Sequence, residues 1–180
     1  MEFVQPIRDK DQLEIIKKRL KAHNERDYVM FMIGINAGLR ISDILQLRVR
    51  DVRGEHIKIK EMKTGKTRRT IINRKLRKAL DDYIKDKPDE EVLIKSRQGT
   101  NKAIDRSTAY KILKEAAREV GLTEIGTHTM RKTFGYHFYQ RDKDVVALQK
   151  ILNHNKASTT LLYIGVEQDY LDERVMRNGL

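Results

Sequence analysis

The sequence predicts a mainly helical domain with one small antiparallel β-sheet, an α+β fold. Three observations predict it. Apolar residues recur at helical spacing through most of the chain, bounded by residues with capping chemistry. One stretch, HIKIKEM-KTGK-TRRTII, changes to alternation around a glycine-containing turn. The length of 180 residues suits one domain with a sizeable core. No repeat, low-complexity tract or interior linker divides it, so residues 1–180 are expected to form a single domain.

Pro6 sits in an extended lead-in, and Asp9 with Gln12 forms a capping-box pattern ahead of a first helix. Leu13, Ile16 and Leu20 make its apolar stripe, while Lys17, Lys18, Arg19 and Lys21 read as a solvated face. Residues 28–37, YVMFMIGINA, are apolar nearly all round and predict the buried central helix. Gly38 ends it, and Ser42 is expected to cap a short helix carrying Asp43. Ile57 and Ile59 share one face of the hairpin, which puts Lys63 and Lys66 at its tip. Asn73 caps a helix with Leu76, Leu80, Tyr83 and Ile84 inward, stopped before Pro88. A short extended run at 92–94 and a polar loop at 96–102 follow. Asp105 caps the next helix, with Ile112, Leu113, Ala116 and Val120 inside and Gly121 at its end. Thr127 is expected to cap the helix that carries His128 and Arg131.

Charge and composition narrow the function. There are 38 Lys and Arg against 26 Asp and Glu, a net charge of +12, with a pI of about 9.8. That balance favours a polyanionic partner, nucleic acid before membrane, or else a merely soluble basic protein. Cysteine is absent, which excludes disulfides, thiolate catalysis and Cys-ligated zinc. The five histidines show no close metal spacing, so neither a metal nor another cofactor is expected. The N-terminus lacks the apolar core of a signal peptide, and a cytoplasmic protein, on the nucleoid when bound to DNA, is the expectation.

The chemistry concentrates in residues 127–165. His128 and Arg131, three apart, can share a helix face and address one ligand. Tyr163 follows His154 by nine residues, and on one unbroken helix they would point apart, ~13 Å along the axis. Residues 155–158, NKAS, read as a break, with Asn153 or Asn155 as a left-handed stop and Ser158 as the next N-cap. That turn lets both side chains fold back toward one point. Histidines, an arginine and a phenol together suit a phosphate, because a tyrosine attacking phosphorus needs donors around the phosphate oxygens. Arg40, at the end of the most buried helix, needs a charged partner, either a phosphate or a structural salt bridge. Asp43 can hold its guanidinium.

In this order the blocks resemble the catalytic domain of the tyrosine recombinases, the phage integrase family. NAGLRISDILQL resembles the family's first arginine block, KTGKTRRTI its lysine-bearing β-turn, GTHTMRKTF its HxxR block, and LNHNKASTTLLY its block of histidine followed by tyrosine. The resemblance covers roughly residues 10–165 and implies that fold. It also implies site-specific DNA recombination without a metal, with Tyr163 attacking a backbone phosphate to give a 3′-phosphotyrosyl link. Arg40 and Arg131 would grip the non-bridging oxygens. His128 would take the tyrosine proton, His154 would add a hydrogen bond, and Lys63 (or Lys66, at the same tip) would protonate the departing 5′-oxygen. Asp43 would orient Arg40 or His128 from behind, and Lys66, Arg68 and Lys132 would contact DNA. A type IB topoisomerase-like enzyme or a non-cleaving regulator on this fold are the alternatives.

Arg40 comes early, so a separate N-terminal core-binding domain of the family is expected to be absent from this chain, which would be either an excised fragment or a stand-alone short recombinase. Asn153 stands where glycine is common, and Lys132 where histidine is frequent. After Tyr163, the residues Val166, Tyr170, Leu171, Val175 and Met176 recur at helical spacing, with Gly179 as the stop. This tail either packs on its own domain or passes to a neighbouring protomer. The resemblance favours the second, giving homodimers or homotetramers on double-stranded DNA.

Overall fold

The computed structural model describes residues 4–178. The chain runs through α1 (Lys10–His23), α2 (Glu25–Ala37), α3 (Ile41–Leu45), a 3₁₀ turn at Val49–Val52, β1 (His56–Lys60), β2 (Thr67–Ile71) and α4 (Arg74–Ile84). It continues through α5 (Arg106–Arg118), α6 (Thr129–Asp142), α7 (Val145–Leu152), α8 (Ala157–Ile164) and α9 (Val166–Arg177). The expected helical architecture with one antiparallel hairpin is therefore present. Register runs from His56 opposite Ile71 to Lys60 opposite Thr67. Ile57 and Ile59 face inward, as the alternation predicts.

The apolar segment forms the centre of the domain. Helix α2 packs against α1, α4 and α6, and Val29, Met30 and Ile33 are fully buried. Asn24, which the sequence reading did not single out, caps α2 through its side chain and moves its start forward to Glu25. On α1, Lys17 pairs with Glu14 and Arg19 with Glu115 and Glu119 of α5. Much of that basic face is thus engaged on the protein's own surface.

Three caps and one capping box differ from expectation. Asp9 does accept from the first-turn amides of α1. Gln12, however, sends its amide to the Val120 carbonyl rather than back to the cap. Arg40, not Ser42, is the N-cap of α3, and Lys156, not Ser158, that of α8. At α6 the N-cap is His128 itself, one residue past Thr127. None of these last three N-caps makes a side-chain cap bond, so capping chemistry does not mark them in the sequence. Gly179 lies outside the described residues.

Buried apolar side chains fall into two clusters among the described residues. The large one joins α1 through α5 with the start of α6. The small one holds Leu148, Leu152 and Ile164, with Phe134, Phe138, Tyr163 and Val166 packed around them. Among the described residues no helix is long and apolar enough to cross a membrane.

Candidate active site

Arg40, His128, Arg131, His154 and Tyr163 gather where these two clusters meet. Helix α2 stops because Gly38 takes a left-handed conformation, φ 59°. A Cβ there would come within 2.4 Å of the Phe134 ring, so only glycine fits both the angle and the contact. The turn sends Leu39 into the core and presents Arg40 at the head of α3. Arg40 Nη1 stands 3.2 Å from Glu61 Oε2 and 3.9 Å from Asp43 Oδ2. It makes no well-formed hydrogen bond among the described residues. Asp43 Oδ1 accepts from the Met62 amide at 2.9 Å, fastening the hairpin base to α3.

Arg131, in the first turn of α6, is only 1% exposed. Its Nη1 donates to the Gly38 carbonyl at 2.6 Å, and Nη2 donates to the Leu152 carbonyl. One guanidinium thereby joins the end of α2 to the end of α7. Burial lowers its pKa to about 10, which leaves it protonated at neutral pH.

His154 follows Asn153, whose φ of 54° makes it, of the two asparagines expected, the left-handed stop. His154 Nδ1 lies 3.0 Å from the Thr160 hydroxyl, and its ring meets that of Tyr163 edge-on at 5.0 Å. Helix α8 approaches α6 closely at Gly135, where a Cβ would come 2.6 Å from Ile164 Cγ2. That contact sets the height of the neighbouring Tyr163. The tyrosine hydroxyl lies 3.4 Å from His128 Nδ1. His128 sits at the mouth of α6, open to solvent on one side while its ring is partly desolvated against Tyr163 and the arginines.

Electrostatics bind the set together. Burial raises the Tyr163 pKa, and Arg131 and Arg40 partly offset that rise. Burial lowers His128, helped by Arg131, Arg106 and Arg40. Burial also drives His154 down to about 4, with Arg131 and Arg40 acting in the same sense. Both histidines are therefore neutral at pH 7, and two guanidiniums act on the phenol.

The remaining candidates lie apart. Lys63 and Lys66 are exposed on the 61–66 loop, and neither side chain is paired among the described residues. Arg68 turns inward. Its guanidinium donates to the carbonyls of Ala37 and Gly38 and to the Thr70 hydroxyl. Lys132 donates to the Val4 carbonyl at 2.7 Å and covers the Tyr163 ring at 5.3 Å. Both therefore serve the protein's own packing in this structure.

Two features escaped the sequence reading. Glu61, 1% exposed, lies between Arg40 and Arg68 and accepts from Thr64 and Asn153. The lead-in before α1 runs along α6, with the Ile7 amide donating to Thr133 Oγ1 and His137 Nε2 donating to the Ile7 carbonyl. It ends in a two-bond ion pair from Arg8 to Asp169 of α9. The alternation in HIKIKEM runs out at Glu61, and lone charges in a lead-in carry no local signal.

This helical fold, with arginines closing on one tyrosine, defines the catalytic domain of a tyrosine recombinase. The chain belongs to the phage integrase family, whose family model matches residues 7–169. It is similar to the probable integrase/recombinase YoeC of Bacillus subtilis (strain 168), 51% identical over 170 residues, covering 94% of this chain and 93% of that protein. Against further curated tyrosine recombinases the chain spans about half of their length. Among solved structures it resembles XerA recombinase with a TM-score of 0.77 at 20% identity, covering 100% of this chain and 66% of that one. It also resembles XerH site-specific recombinase bound to a palindromic difH substrate, with a TM-score of 0.72 at 20% identity, covering 97% and 53%. At those identities the structures establish the fold.

Proposed function

We propose that this chain cuts and rejoins DNA strands through a covalent bond to Tyr163. The observation that carries the reading is the convergence of Tyr163, His128, His154, Arg131 and Arg40 on one point. The Tyr163 oxygen attacks a backbone phosphorus as its proton passes to neutral His128. The new bond is a 3′-phosphotyrosyl ester, and the bond to the 5′-oxygen breaks. Lys63, brought in with its loop, gives that oxygen a proton. Arg40 and Arg131 hold the non-bridging oxygens as charge builds on them, and His154 adds a hydrogen bond from Nε2. That bond requires the Thr160 hydroxyl to donate to Nδ1 at 3.0 Å in place of its longer, 3.4 Å donation to the Lys156 carbonyl. The guanidiniums supply the charge neutralisation that metal ions supply in many phosphoryl transfers, so the reading needs no metal. The ester conserves the bond energy, and a free 5′-hydroxyl from another strand reverses the step.

The partner in this reading is duplex DNA, and a second copy of the chain completes the assembly. Helix α9 begins against its own domain, with Val166 on the small cluster. Farther along it leaves Val175 and Met176 72% and 83% exposed. A second protomer's apolar surface is the proposed cover, forming dimers or tetramers on DNA.

A pool of nicked duplexes of randomised sequence tests the reaction. Wild type quenched in denaturant should retain labelled DNA until protease treatment, and Tyr163→Phe should retain none. No adduct from wild type, or an equal adduct from the variant, would refute the assignment.

A further inference from the structure

The carboxylate of Glu61 is the most heavily engaged buried acid in the described structure, and the reaction outlined above gives it no task. It sits at the end of β1, where the hairpin begins its loop. Oε2 lies 3.2 Å from Arg40 Nη1. The same oxygen accepts from the Thr64 hydroxyl at 2.7 Å and from the Asn153 amide at 3.1 Å. Oε1 lies 3.6 Å from Arg68 Nη1. These partners belong to three pieces of the site far apart in sequence. Arg40 is at the head of α3, Thr64 adjoins Lys63 in the loop, and Asn153 immediately precedes His154.

The local charge shows why an acid belongs there. Arg40, Arg68 and Arg131 stand close enough for Arg40 and Arg68 both to depress the Arg131 pKa, while Glu61 raises it. Three clustered guanidiniums repel one another in a partly desolvated place, and one buried carboxylate offsets this. Burial opposes the charge on Glu61, but Thr64, Asn153, Arg40 and Arg68 outweigh it, and its pKa stays below the ordinary value. It is an anion at neutral pH.

We propose that Glu61 is a positioning residue for strand cleavage: its carboxylate sets the Arg40 guanidinium, the Lys63 loop and the His154 turn relative to one another. The proposal rests on the strand-cleavage reading. Glu61 itself touches no DNA. It acts through Arg40, whose Nη1 it holds without forming a good hydrogen bond. Nη1 is itself buried, and a phosphate oxygen would meet the part of the guanidinium that stays exposed, in a side chain that is 14% exposed overall. It also acts through Thr64 and Asn153, which carry the loop and the turn. A misplacement of about 1 Å in such a constellation can cost on the order of 10²-fold in rate.

Three substitutions separate this from a merely structural ion pair. Glu61→Gln keeps an oxygen for Thr64 and Asn153 but removes the charge that faces Arg40. Asn153→Gly removes one tie and permits the left-handed conformation at that position. Glu61→Ala removes every tie. On a nicked substrate that wild type cleaves, Glu61→Gln should lose about 10- to 100-fold in single-turnover rate. Its DNA affinity should be unchanged or tighter, because a negative charge has left a face that takes a polyanion. Asn153→Gly should lose less, about 3- to 10-fold, again in rate and not in affinity.

Modified substrates then show which arm has moved. A methylphosphonate at the scissile position carries no charge for Arg40 to neutralise, so the Glu61→Gln deficit should shrink several-fold on it. A 5′-thiol leaving group needs no proton from Lys63, so it should recover part of the additional loss in Glu61→Ala. Cleavage by Glu61→Gln within about 2-fold of wild type would overturn the proposal. An equal loss on all three substrates, accompanied by weaker DNA binding and a lower melting temperature, would also overturn it. If wild type forms no adduct on any substrate, the strand-cleavage reading fails, and the role of Glu61 fails with it. A cleaving wild type matched by Glu61→Gln refutes the role of Glu61 alone.

Discussion

The hydroxyl of Tyr163 and Nδ1 of His128 lie 3.4 Å apart, at the outer limit of a hydrogen bond. The tyrosine comes from α8 and the histidine from the N-cap of α6, so their spacing reports how those helices pack. Burial raises the tyrosine's pKa and lowers the histidine's. The resting pair is therefore a neutral phenol facing a neutral imidazole, the correct protonation for a transfer between them.

The first prediction follows from that pair. Single-turnover cleavage should be flat from pH 7 to 8 and fall under more acid conditions, below the ordinary histidine range, as His128 takes up a proton. His128→Asn should flatten this acid limb and slow the plateau by about 10²–10⁴-fold. An unchanged acid limb in the variant would assign the proton acceptor elsewhere.

Arg131→Lys tests a double role. The arginine bridges the Gly38 and Leu152 carbonyls, and one ammonium cannot reproduce that fork. A buried carbonyl left without a donor costs about 1–3 kcal/mol, so urea unfolding should show a loss of that size. Cleavage should fall about 10²–10³-fold. Near-normal cleavage despite lost stability would make this residue purely a brace.

Lys63 and Lys66 share one exposed loop, and a bridging 5′-thiol substrate tells them apart. Lys63→Ala should cleave an ordinary substrate slowly and the thiol substrate at close to the wild-type rate. Rescue confined to Lys66→Ala would transfer the proton-donating role to Lys66.

His154 makes folding stability sensitive to acid. Burial chiefly, with Arg131 and Arg40, pushes its pKa from 6.5 down to about 4. The unfolded chain binds the proton first, so its contribution is intact above about pH 6.5 and drains away toward pH 4. His128, also lowered, acts in the same direction. The melting temperature should decline across that window, and less steeply in His154→Gln. An identical slope in the variant would place the sensitivity in other groups.

Much of this was legible in local patterns. The 28–37 stretch read as a buried helix, and HIKIKEM with RRTII as a hairpin. A left-handed stop at Asn153 or Asn155 followed from the need to fold His154 and Tyr163 together, and it falls at Asn153. What stayed hidden depends on partners distant in sequence. Nothing near Glu61 announces Arg40 or Asn153, and nothing near Arg8 announces Asp169. Arg68 reads as one more cation for DNA until the carbonyls at the end of α2 are placed beside it. Helix starts at Arg40, His128 and Lys156 slipped by a residue or two for a related reason. None of those three residues caps its helix through its side chain, so the pattern of capping residues pointed to a neighbour instead.

The division of the interior into two clusters has a consequence for how the protein can fail. Arg40 is fixed to the large cluster, whereas Tyr163 rests on a small one with three fully buried apolar side chains among the described residues. Regions anchored by so few contacts open locally well before the whole chain unfolds. A partial melting of α7 and α8 would withdraw Tyr163, the proposed nucleophile, and free Arg131 from the Leu152 carbonyl, while Arg40 keeps its place beside Glu61 and Asp43. Heat or a packing mutation in α7 or α8 would then yield a protein still able to hold DNA but unable to cut it. Competence and foldedness have separate thresholds in this molecule.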